Sequence, residues 1–387
     1  MPGGFGDARS VPPLIPNAIA RGTGLAWDER MTIFSSPVER PLQASEPPQY
    51  GPLPDCHQIQ VSLKGFGGPE GFALEEQPMP GVGPGEVRVR ELAASVQFTD
   101  VILRKGKYPD LKEKPPLVLG YDVVGEVDEV GPGVSSLVIG DRVADLTMIG
   151  SYARYRTLRA DRVVRVPAGV DAAEADALVL SWATAYQLLH REARVVGTER
   201  VLIHGAAGSV GQALVALGKL AGLQMWGTTR AQHMELVRSL GATPVDFKAQ
   251  DIRTVVPEGF DVVFDGIGEG GFAPSWRSVK KGGTLCAYGF TSALKEGTGM
   301  LTMGSWLLRL HLWNWLPNGR SARFYSITAL RKRHPDWYRA DLEQLFKLLA
   351  AKTIQPRIAE RIGLDGVADA HRRIEAGDMT GKIIICP

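Results

Sequence analysis

The sequence predicts an α/β protein that joins a β-rich unit to a doubly wound parallel sheet. Short strand-like segments separated by glycine and proline turns run from about residue 59 to residue 167. Strand-like and helix-like segments then alternate from about residue 200 onward. Alternation of this kind is typical of a parallel sheet with helices on both faces, and 387 residues are enough for two domains.

The order of these segments along the chain supports each part of that prediction. The β-rich unit contains IQVSLKGF, EVRVREL, VVGEVDEV and DRVADL. A helical pattern begins near Ala172, and the alternating part then contains RVLIH, SVGQALVALGKLAG, QMWGTT, AQHMELVRSLGA, VDF, DVVFDGIG and TLCAYGF. A long amphipathic helix, WYRADLEQLFKLLAAK, and a closing strand, KIIIC, follow.

Composition narrows the class of protein. The 44 basic and 42 acidic residues leave a net charge of +2, which favours neither a nucleic-acid partner nor contact with a membrane. No uninterrupted apolar stretch reaches the roughly 20 residues of a spanning helix, and no secretory signal pattern is recognisable. The three cysteines are too widely spaced for a zinc cluster or a disulfide framework. We therefore expect a cytoplasmic protein.

Residues 1–57 differ from the rest of the chain. Ten of the 26 prolines fall there, and proline removes main-chain donors and restricts φ. This composition predicts a proline-rich N-terminal arm, which is either a disordered tail or a segment that docks on the body.

The sharpest motif lies between a predicted strand and a predicted helix, at residues 201–211 (VLIHGAAGSVG). Small residues let the main chain approach a pyrophosphate, and the N-terminus of the following helix offers free N–H groups. Ala206 stands at the first position of the GxGxxG pattern, whereas Gly208 and Gly211 match it. The residues predicted to bind a cofactor here are Ala207, Gly208, Ser209, Val210 and Gly211. The alternative is a tight β–α turn with no ligand.

The end of the second alternating strand bears on the choice of nucleotide. A carboxylate at this place would bind the ribose 2′-hydroxyl of NAD. The sequence instead has Thr228, Thr229 and Arg230, and a cation beside hydroxyl groups suits a 2′-phosphate. These residues predict NADPH as the cofactor, the alternative being that Arg230 is a solvated residue at a helix start.

Several motifs, in order along the chain, carry a resemblance to a known family. They are GYDVVG at 120–125, GDRV at 140–143, TAY at 184–186 and AAGSVG at 206–211. By these motifs the chain from about Gln60 onward resembles the zinc-independent branch of the medium-chain dehydrogenases/reductases, the quinone oxidoreductases. The segments LKGFGG, FYSITAL and GKI are most similar to the subgroup of the vesicle amine transport protein homologue.

The resemblance implies a particular domain organisation. It implies a GroES-like catalytic domain at residues 58–180 and 321–387, with a Rossmann NADPH-binding domain inserted at residues 181–320. A cleft between the two domains and a homodimer are further expectations from the same resemblance.

The resemblance also indicates a site without metal. Zinc-dependent relatives have ligands where this chain has Gln97 and Tyr121, and residues 180–183 (LSWA) offer no thiolate. Without a Lewis acid, the natural reaction is reduction of an acceptor that is already polarised, a quinone or an α,β-unsaturated carbonyl compound.

Roles for further residues follow from the same resemblance. Gln97 stands where relatives usually carry an asparagine at the substrate cleft, and its amide can donate a hydrogen bond to a carbonyl. Tyr108 and Tyr121 could donate a proton, stack on a flat acceptor, or only pack. Thr184 resembles a threonine near the nicotinamide ribose, the alternative being a bond to its own helix. The residues expected at the nicotinamide end are Gly266, Gly289, Phe290 and Thr291.

Together these inferences predict NADPH-dependent reduction of a quinone or enone. Two alternatives stay open: a double-bond reductase dedicated to one biosynthetic pathway, and a cofactor-binding scaffold, associated with vesicles, that has little turnover. Residues 300–317 carry Trp306, Trp313 and Trp315 among leucines. This segment is a lid on the substrate cleft, a buried helix or dimer contact, or a surface that touches a membrane.

Overall fold

The computed structural model describes residues 57–292, 300–377 and 379–387, so the proline-rich arm lies outside the described residues except for its last residue. The strands are β1 (His57–Leu63), β2 (Phe72–Pro78), β3 (Glu86–Val96), β4 (Leu117–Val118), β5 (Asp122–Val130), β6 (Arg142–Leu146), β7 (Tyr155–Arg159), β8 (Val164–Arg165), β9 (Arg200–His204), β10 (Gln224–Thr229), β11 (Thr243–Asp246), β12 (Phe260–Asp265), β13 (Val279–Ala287), β14 (Ser321–Phe324), β15 (Ile358–Ile362) and β16 (Lys382–Ile385). The α-helices are α1 (Phe98–Arg104), α2 (Ala172–Ala177), α3 (Ala183–Gln187), α4 (Ser209–Leu220), α5 (Met234–Leu240), α6 (Ile252–Val255), α7 (Ala273–Ser278), α8 (Met300–Trp313), α9 (Ile327–Arg333), α10 (Pro335–Ala350) and α11 (Val367–Ala376).

Strands β9 to β14 form one sheet in the order β11-β10-β9-β12-β13-β14, and all neighbouring pairs are parallel. The predicted doubly wound parallel sheet is therefore confirmed. The strand order reverses between β9 and β12, and open α/β sheets bind ligands at the carboxyl ends of strands at such a point. Strand β14 pairs Ser321 with Thr284 of β13, so this sheet continues beyond residue 320, where the sequence interpretation ended it.

The β-rich domain contains a sheet in the order β15-β16-β3-β5-β6-β8, with β7 paired to β3, and a smaller sheet in the order β2-β1-β4. Its core includes Val87 and Val89 of β3 and Val123 and Val127 of β5, which lie an even number of positions apart in each strand and so share one face of the sheet. Strand β16 runs antiparallel to β3 and places Ile383 opposite Val96. The C-terminal segment therefore completes the domain that the residues before the parallel sheet begin.

A helical run between β8 and β9 passes along the boundary of the two domains. Asp171 begins it, since its side chain accepts a hydrogen bond from the Glu174 main-chain N–H at 3.0 Å. Wider, π-helical turns at Leu178–Trp182 and Leu188–Ala193 flank α3, and such turns are frequent at functional sites. The residues of this run that line the cleft are Leu180, Ser181 and Thr184.

The tryptophan-rich segment divides between packed and exposed side chains. Trp306 is buried and packs edge-to-face on Phe272, with ring centroids 6.2 Å apart. Trp313 stacks on Trp276 at 4.9 Å, whereas Trp315, after the end of α8, is 74% exposed. Within the described ranges, no helix combines the length and apolar character needed to cross a bilayer.

Candidate active site

A cleft of about 1200 Å³ lies between the two domains. Every residue singled out from the sequence as a site residue lines it. These are Gln97, Tyr108, Tyr121, Thr184, Ala207, Gly208, Ser209, Val210, Gly211, Thr228, Thr229, Arg230, Gly266, Gly289, Phe290 and Thr291. The fold thus brings segments that are far apart in the sequence together around one cleft.

The glycine turn between β9 and α4 is packed so tightly that it requires glycine at Gly205 and Gly211. Gly205 has φ of +70°, in the left-handed region that favours glycine. A Cβ on Gly211 would lie 2.3 Å from the Gly205 carbonyl oxygen. The first turn of α4 therefore packs directly on the main chain of the turn. Because the first N–H groups of a helix have no intrahelical acceptor, this end of α4 suits an anion such as a pyrophosphate.

Ala206 replaces the first glycine of the GxGxxG pattern without loosening the turn. The side chain is fully buried. A Cβ on Gly227 of β10 would lie 2.5 Å from the Cβ of Ala206. The missing side chain at Gly227 therefore provides the space for the methyl group of Ala206. Sequence reasoning did not single out Gly227, although a glycine inside a strand often marks such a close approach.

Residues at the end of β10 form hydrogen bonds to the glycine turn and to the C-terminus of α11. The Thr228 hydroxyl accepts a hydrogen bond from the Gly205 N–H at 3.2 Å and lies 3.1 Å from His204 Nδ1. Thr229 is buried beside it. Arg230 donates from Nη1 to the carbonyl oxygen of Gly377, which ends α11, at 3.4 Å. A guanidinium has five N–H donors, so this bond leaves donors for an anionic ligand.

The ends of β12 and β13 also approach too closely for side chains. A Cβ on Gly289 would lie 2.6 Å from the Gly266 carbonyl oxygen, and one on Gly266 would lie 2.6 Å from the Tyr288 ring. The Thr291 hydroxyl donates to the same Gly266 oxygen at 3.0 Å. Phe290 stacks on Phe324 of β14, with ring centroids 4.9 Å apart. Both strand ends thus present main-chain groups and an aromatic wall to the cleft.

Gln97 caps the N-terminus of α1, and two polar neighbours hold its side chain. Its Nε2 donates to Asp122 Oδ2 at 2.6 Å, and its Oε1 accepts from the Ser181 hydroxyl at 3.4 Å. The main-chain N–H of Gln97 donates to Asp100 Oδ2 at 2.9 Å, which closes the first turn of the helix. The amide is therefore fixed in place at the wall of the cleft.

Tyr108 and Tyr121 form a pair. Their hydroxyl oxygens are 2.7 Å apart, and their rings meet edge-to-face with centroids 6.0 Å apart. Burial raises the pKa of both phenols, so each keeps its proton through the neutral range. Tyr121 is almost fully buried, whereas Tyr108 is only part-buried. Tyr108 is therefore the better placed of the two to touch a ligand.

A cluster of buried ionisable groups lies behind Gln97. It contains Asp100, Asp122, Asp176 and Lys382, each 5% exposed or less. Burial, with a further contribution from Asp122, raises the pKa of Asp100 to about 8, and burial lowers the pKa of Lys382. Sequence reasoning missed Lys382 as a site residue. The available signal was one basic residue at the start of an otherwise apolar closing strand.

The positions expected for zinc ligands hold other chemistry. Tyr121 contributes a phenol, Gln97 an amide and Ser181 a hydroxyl at this end of the cleft. Within residues 57–292, 300–377 and 379–387, no three His, Cys, Asp or Glu side chains are grouped in a way that could hold a metal ion.

Comparison with known proteins matches both domains. The model of the alcohol dehydrogenase GroES-like domain matches residues 83–168, and the model of the zinc-binding dehydrogenase matches residues 240–385. A 2-haloacrylate reductase from Burkholderia sp. is 30% identical over 341 residues, which cover 83% of this chain and 96% of that protein. A quinone oxidoreductase from Pseudomonas aeruginosa is 30% identical over 336 residues, covering 85% and 99%. The crystal structure of human synaptic vesicle membrane protein VAT-1 homolog-like protein matches with a TM-score of 0.72 at 26% identity, covering 85% of this chain and 98% of that one.

Proposed function

Because this chain belongs to the medium-chain dehydrogenase/reductase superfamily, whose oxidoreductases bind a nicotinamide cofactor, we propose that it reduces a quinone or an α,β-unsaturated carbonyl compound with NADPH. The observation that carries this proposal is the single cleft that joins the glycine turn to Gln97 and the two tyrosines. Pockets for one ligand are commonly about 300–1,000 Å³, so a cleft of about 1200 Å³ suits a cofactor together with an acceptor.

The residues of the cleft fit NADPH along its length. The turn at residues 205–211 suits the pyrophosphate, because the absence of a Cβ at Gly211 lets the first turn of α4, whose N–H groups have no intrahelical acceptor, pack directly against it. Thr229 and Arg230 supply a hydroxyl and a cation for the 2′-phosphate. Thr184 and the strand end at residues 289–291 hold the nicotinamide. NADPH, when bound, supplies a hydride to an electrophilic carbon of the acceptor.

The side chains on the other side of the cleft bind the acceptor oxygen and supply the proton that completes the reduction. Gln97 donates its second Nε2–H to the acceptor oxygen, and this bond strengthens as negative charge develops there. Tyr108 gives its phenolic proton to the enolate or hydroquinone anion that hydride addition leaves, and solvent returns a proton to the part-buried phenolate. The hydroxyl of Tyr121, 2.7 Å away, supports Tyr108 in this role. Leu307 of α8 and the stacked rings of Phe290 and Phe324 line the cleft and exclude water.

A direct test is NADPH oxidation by the purified full chain with a panel of quinones and enones. We expect turnover with at least one class of acceptor and a lower KM for NADPH than for NADH. Tight binding of NADPH without turnover of any acceptor would overturn the proposed enzymatic function and favour a cofactor-binding scaffold. No binding of either nucleotide would overturn both.

The edge of the parallel sheet supports a homodimer. Strand β14 is the last strand of that sheet, and an unpaired sheet edge readily pairs with another chain. Besides Leu307, which lines the cleft, the exposed apolar side chains on and just after the neighbouring helix α8 include Leu308, Leu312, Trp315 and Leu316. Light scattering after size exclusion tests this: we expect twice the 41.9 kDa mass of one chain, and the single-chain mass contradicts it.

A further inference from the structure

We propose that Asp122 determines which end of the Gln97 amide faces the acceptor, and thereby makes Gln97 a hydrogen-bond donor in the reduction. Asp122 is a positioning residue in this proposal, since it acts through Gln97 and does not line the cleft. The inference rests on the proposed function and deepens it.

The orientation of the amide follows from the chemistry of its neighbour. Asp122 Oδ2 lies 2.6 Å from one end of the Gln97 amide, and an ionised carboxylate can only accept hydrogen bonds. The NH2 end of Gln97 must therefore face Asp122, and the carbonyl end faces the Ser181 hydroxyl, 3.4 Å away. One N–H of Nε2 is used in this bond. The second N–H stays available to a ligand oxygen in the cleft.

Asp122 is itself held from the opposite side. Its Oδ1 accepts from the Ser95 main-chain N–H at 3.0 Å and from the Ser95 hydroxyl at 2.7 Å. Lys382 Nζ donates to that same hydroxyl oxygen at 3.0 Å and lies 3.9 Å from the carboxylate. Burial raises the pKa of Asp122, and Lys382 together with the Ser95 bonds opposes that shift. A buried cation and two donors thus hold the carboxylate that orients Gln97.

Replacing the carboxylate with an amide is expected to reverse Gln97. In Asp122→Asn, the Ser95 main-chain N–H still requires an acceptor, so the new amide oxygen takes the place of Oδ1. The new NH2 group then takes the place of Oδ2 and faces Gln97. Because two NH2 groups cannot satisfy each other, the Gln97 carbonyl turns towards position 122 and its NH2 group moves to the Ser181 end.

A double-mutant cycle tests whether Asp122 acts through Gln97. With saturating NADPH and one enone acceptor, Gln97→Ala should lower kcat/KM about 100-fold, because it removes the donor. Asp122→Asn should lower it about 10-fold, because it misplaces the donor, with kcat falling more than KM rises. The double variant should stay about 100-fold below wild type, whereas independent effects would multiply to about 1000-fold.

Asp176→Asn is the matched control. Asp176 is buried in the same cluster of ionisable groups. Among the described residues, its carboxyl oxygens form no hydrogen bond to Gln97. We expect Asp176→Asn to retain wild-type kcat/KM, and all variants to retain the wild-type Kd for NADPH. If Asp122→Asn does not fold, Ser181→Ala replaces it, with an expected loss of about 3-fold that vanishes in the Gln97→Ala background.

The outcomes separate the inference from the function on which it rests. A double variant about 1000-fold below wild type, or an equal loss in Asp176→Asn, overturns the positioning role of Asp122 while leaving the reductase intact. An inactive wild type overturns the proposed function and the inference together.

Discussion

The cofactor half of the cleft is built from main-chain atoms, whereas the acceptor half is built from side chains. Around residues 205–211 and at the ends of β12 and β13, the chain packs so closely that no Cβ fits at Gly211 or Gly289. Around Gln97 and Tyr108, the cleft is lined by an amide, phenols and aromatic rings. Substitutions in the first half should therefore affect folding and cofactor affinity, and substitutions in the second half should affect turnover or the choice of acceptor.

The largest effect is expected from Gly211→Ala. The new methyl group would meet the Gly205 oxygen and the Ala206 Cα, at 2.3 and 2.7 Å, so the helix must move away from the turn. We expect a loss of about 3 kcal/mol of stability and a rise of about 100-fold in the Kd for NADPH. Denaturant unfolding and nucleotide titration measure both. In the control Gly81→Ala, the new methyl group meets no atom of the described residues within 4 Å, and both measurements should stay close to wild type.

Tyr108→Phe tests the acceptor half without disturbing the cofactor half. If the phenol donates the proton, kcat with an enone should fall about 100-fold while the Kd for NADPH is unchanged. Because burial raises the pKa of Tyr108, the phenol stays protonated as the pH rises. Deprotonation of Tyr108 should therefore cause no loss of kcat at any pH lower than about 10. Unchanged kcat and kcat/KM in the variant would eliminate the proton-donor role and leave stacking or packing.

Arg230→Ala tests whether a side chain contributes specificity to the otherwise main-chain half. Loss of charge-assisted hydrogen bonds to a 2′-phosphate should raise the KM for NADPH about 30-fold and leave the KM for NADH unchanged. Steady-state kinetics with both nucleotides measure this preference. A variant that keeps its preference for NADPH would show that Arg230 serves only the contact with Gly377.

The smallest effect is expected at the wall of the acceptor half. Leu307→Ala enlarges the cleft beside α8 and should change the KM of a bulky naphthoquinone about 3- to 10-fold, with little effect on a small enone. Leu74→Ala, on β2, 45% exposed and outside the cleft, is the matched control and should match wild type. Equal KM values for Leu307→Ala and wild type with every acceptor would remove α8 from the acceptor site.

The difference between the two halves also explains what could be predicted from the sequence. The turn at residues 201–211 is contiguous, and its small residues and flanking strand and helix are visible in one short segment. The same segment supported the superfamily assignment that the family models confirm. The packing of Ala206 against Gly227 was not predicted, because it joins the turn after β9 to β10, and the sequence does not state the register of these two strands.

The contacts of the acceptor half could not be predicted from the sequence. Gln97 and Asp122 are 25 positions apart, and Ser95 and Lys382 are 287 apart, so no local pattern connects them. The sequence interpretation singled out neither Asp122 nor Lys382 as a site residue. For Trp306, Trp313 and Trp315 it left three environments open, and packing on Phe272 and Trp276 accounts for the first two side chains.

By itself, the sequence determined the α/β class, the parallel sheet and the tight turn at the start of α4. NADPH specificity and the cytoplasmic location stay predictions. Only the tertiary structure decided which polar side chains meet behind Gln97, because β3, β5 and β16 must pair before Ser95, Asp122 and Lys382 come together. A turn that excludes side chains is a local property of small residues, whereas a buried hydrogen-bond network exists only once distant strands share a register.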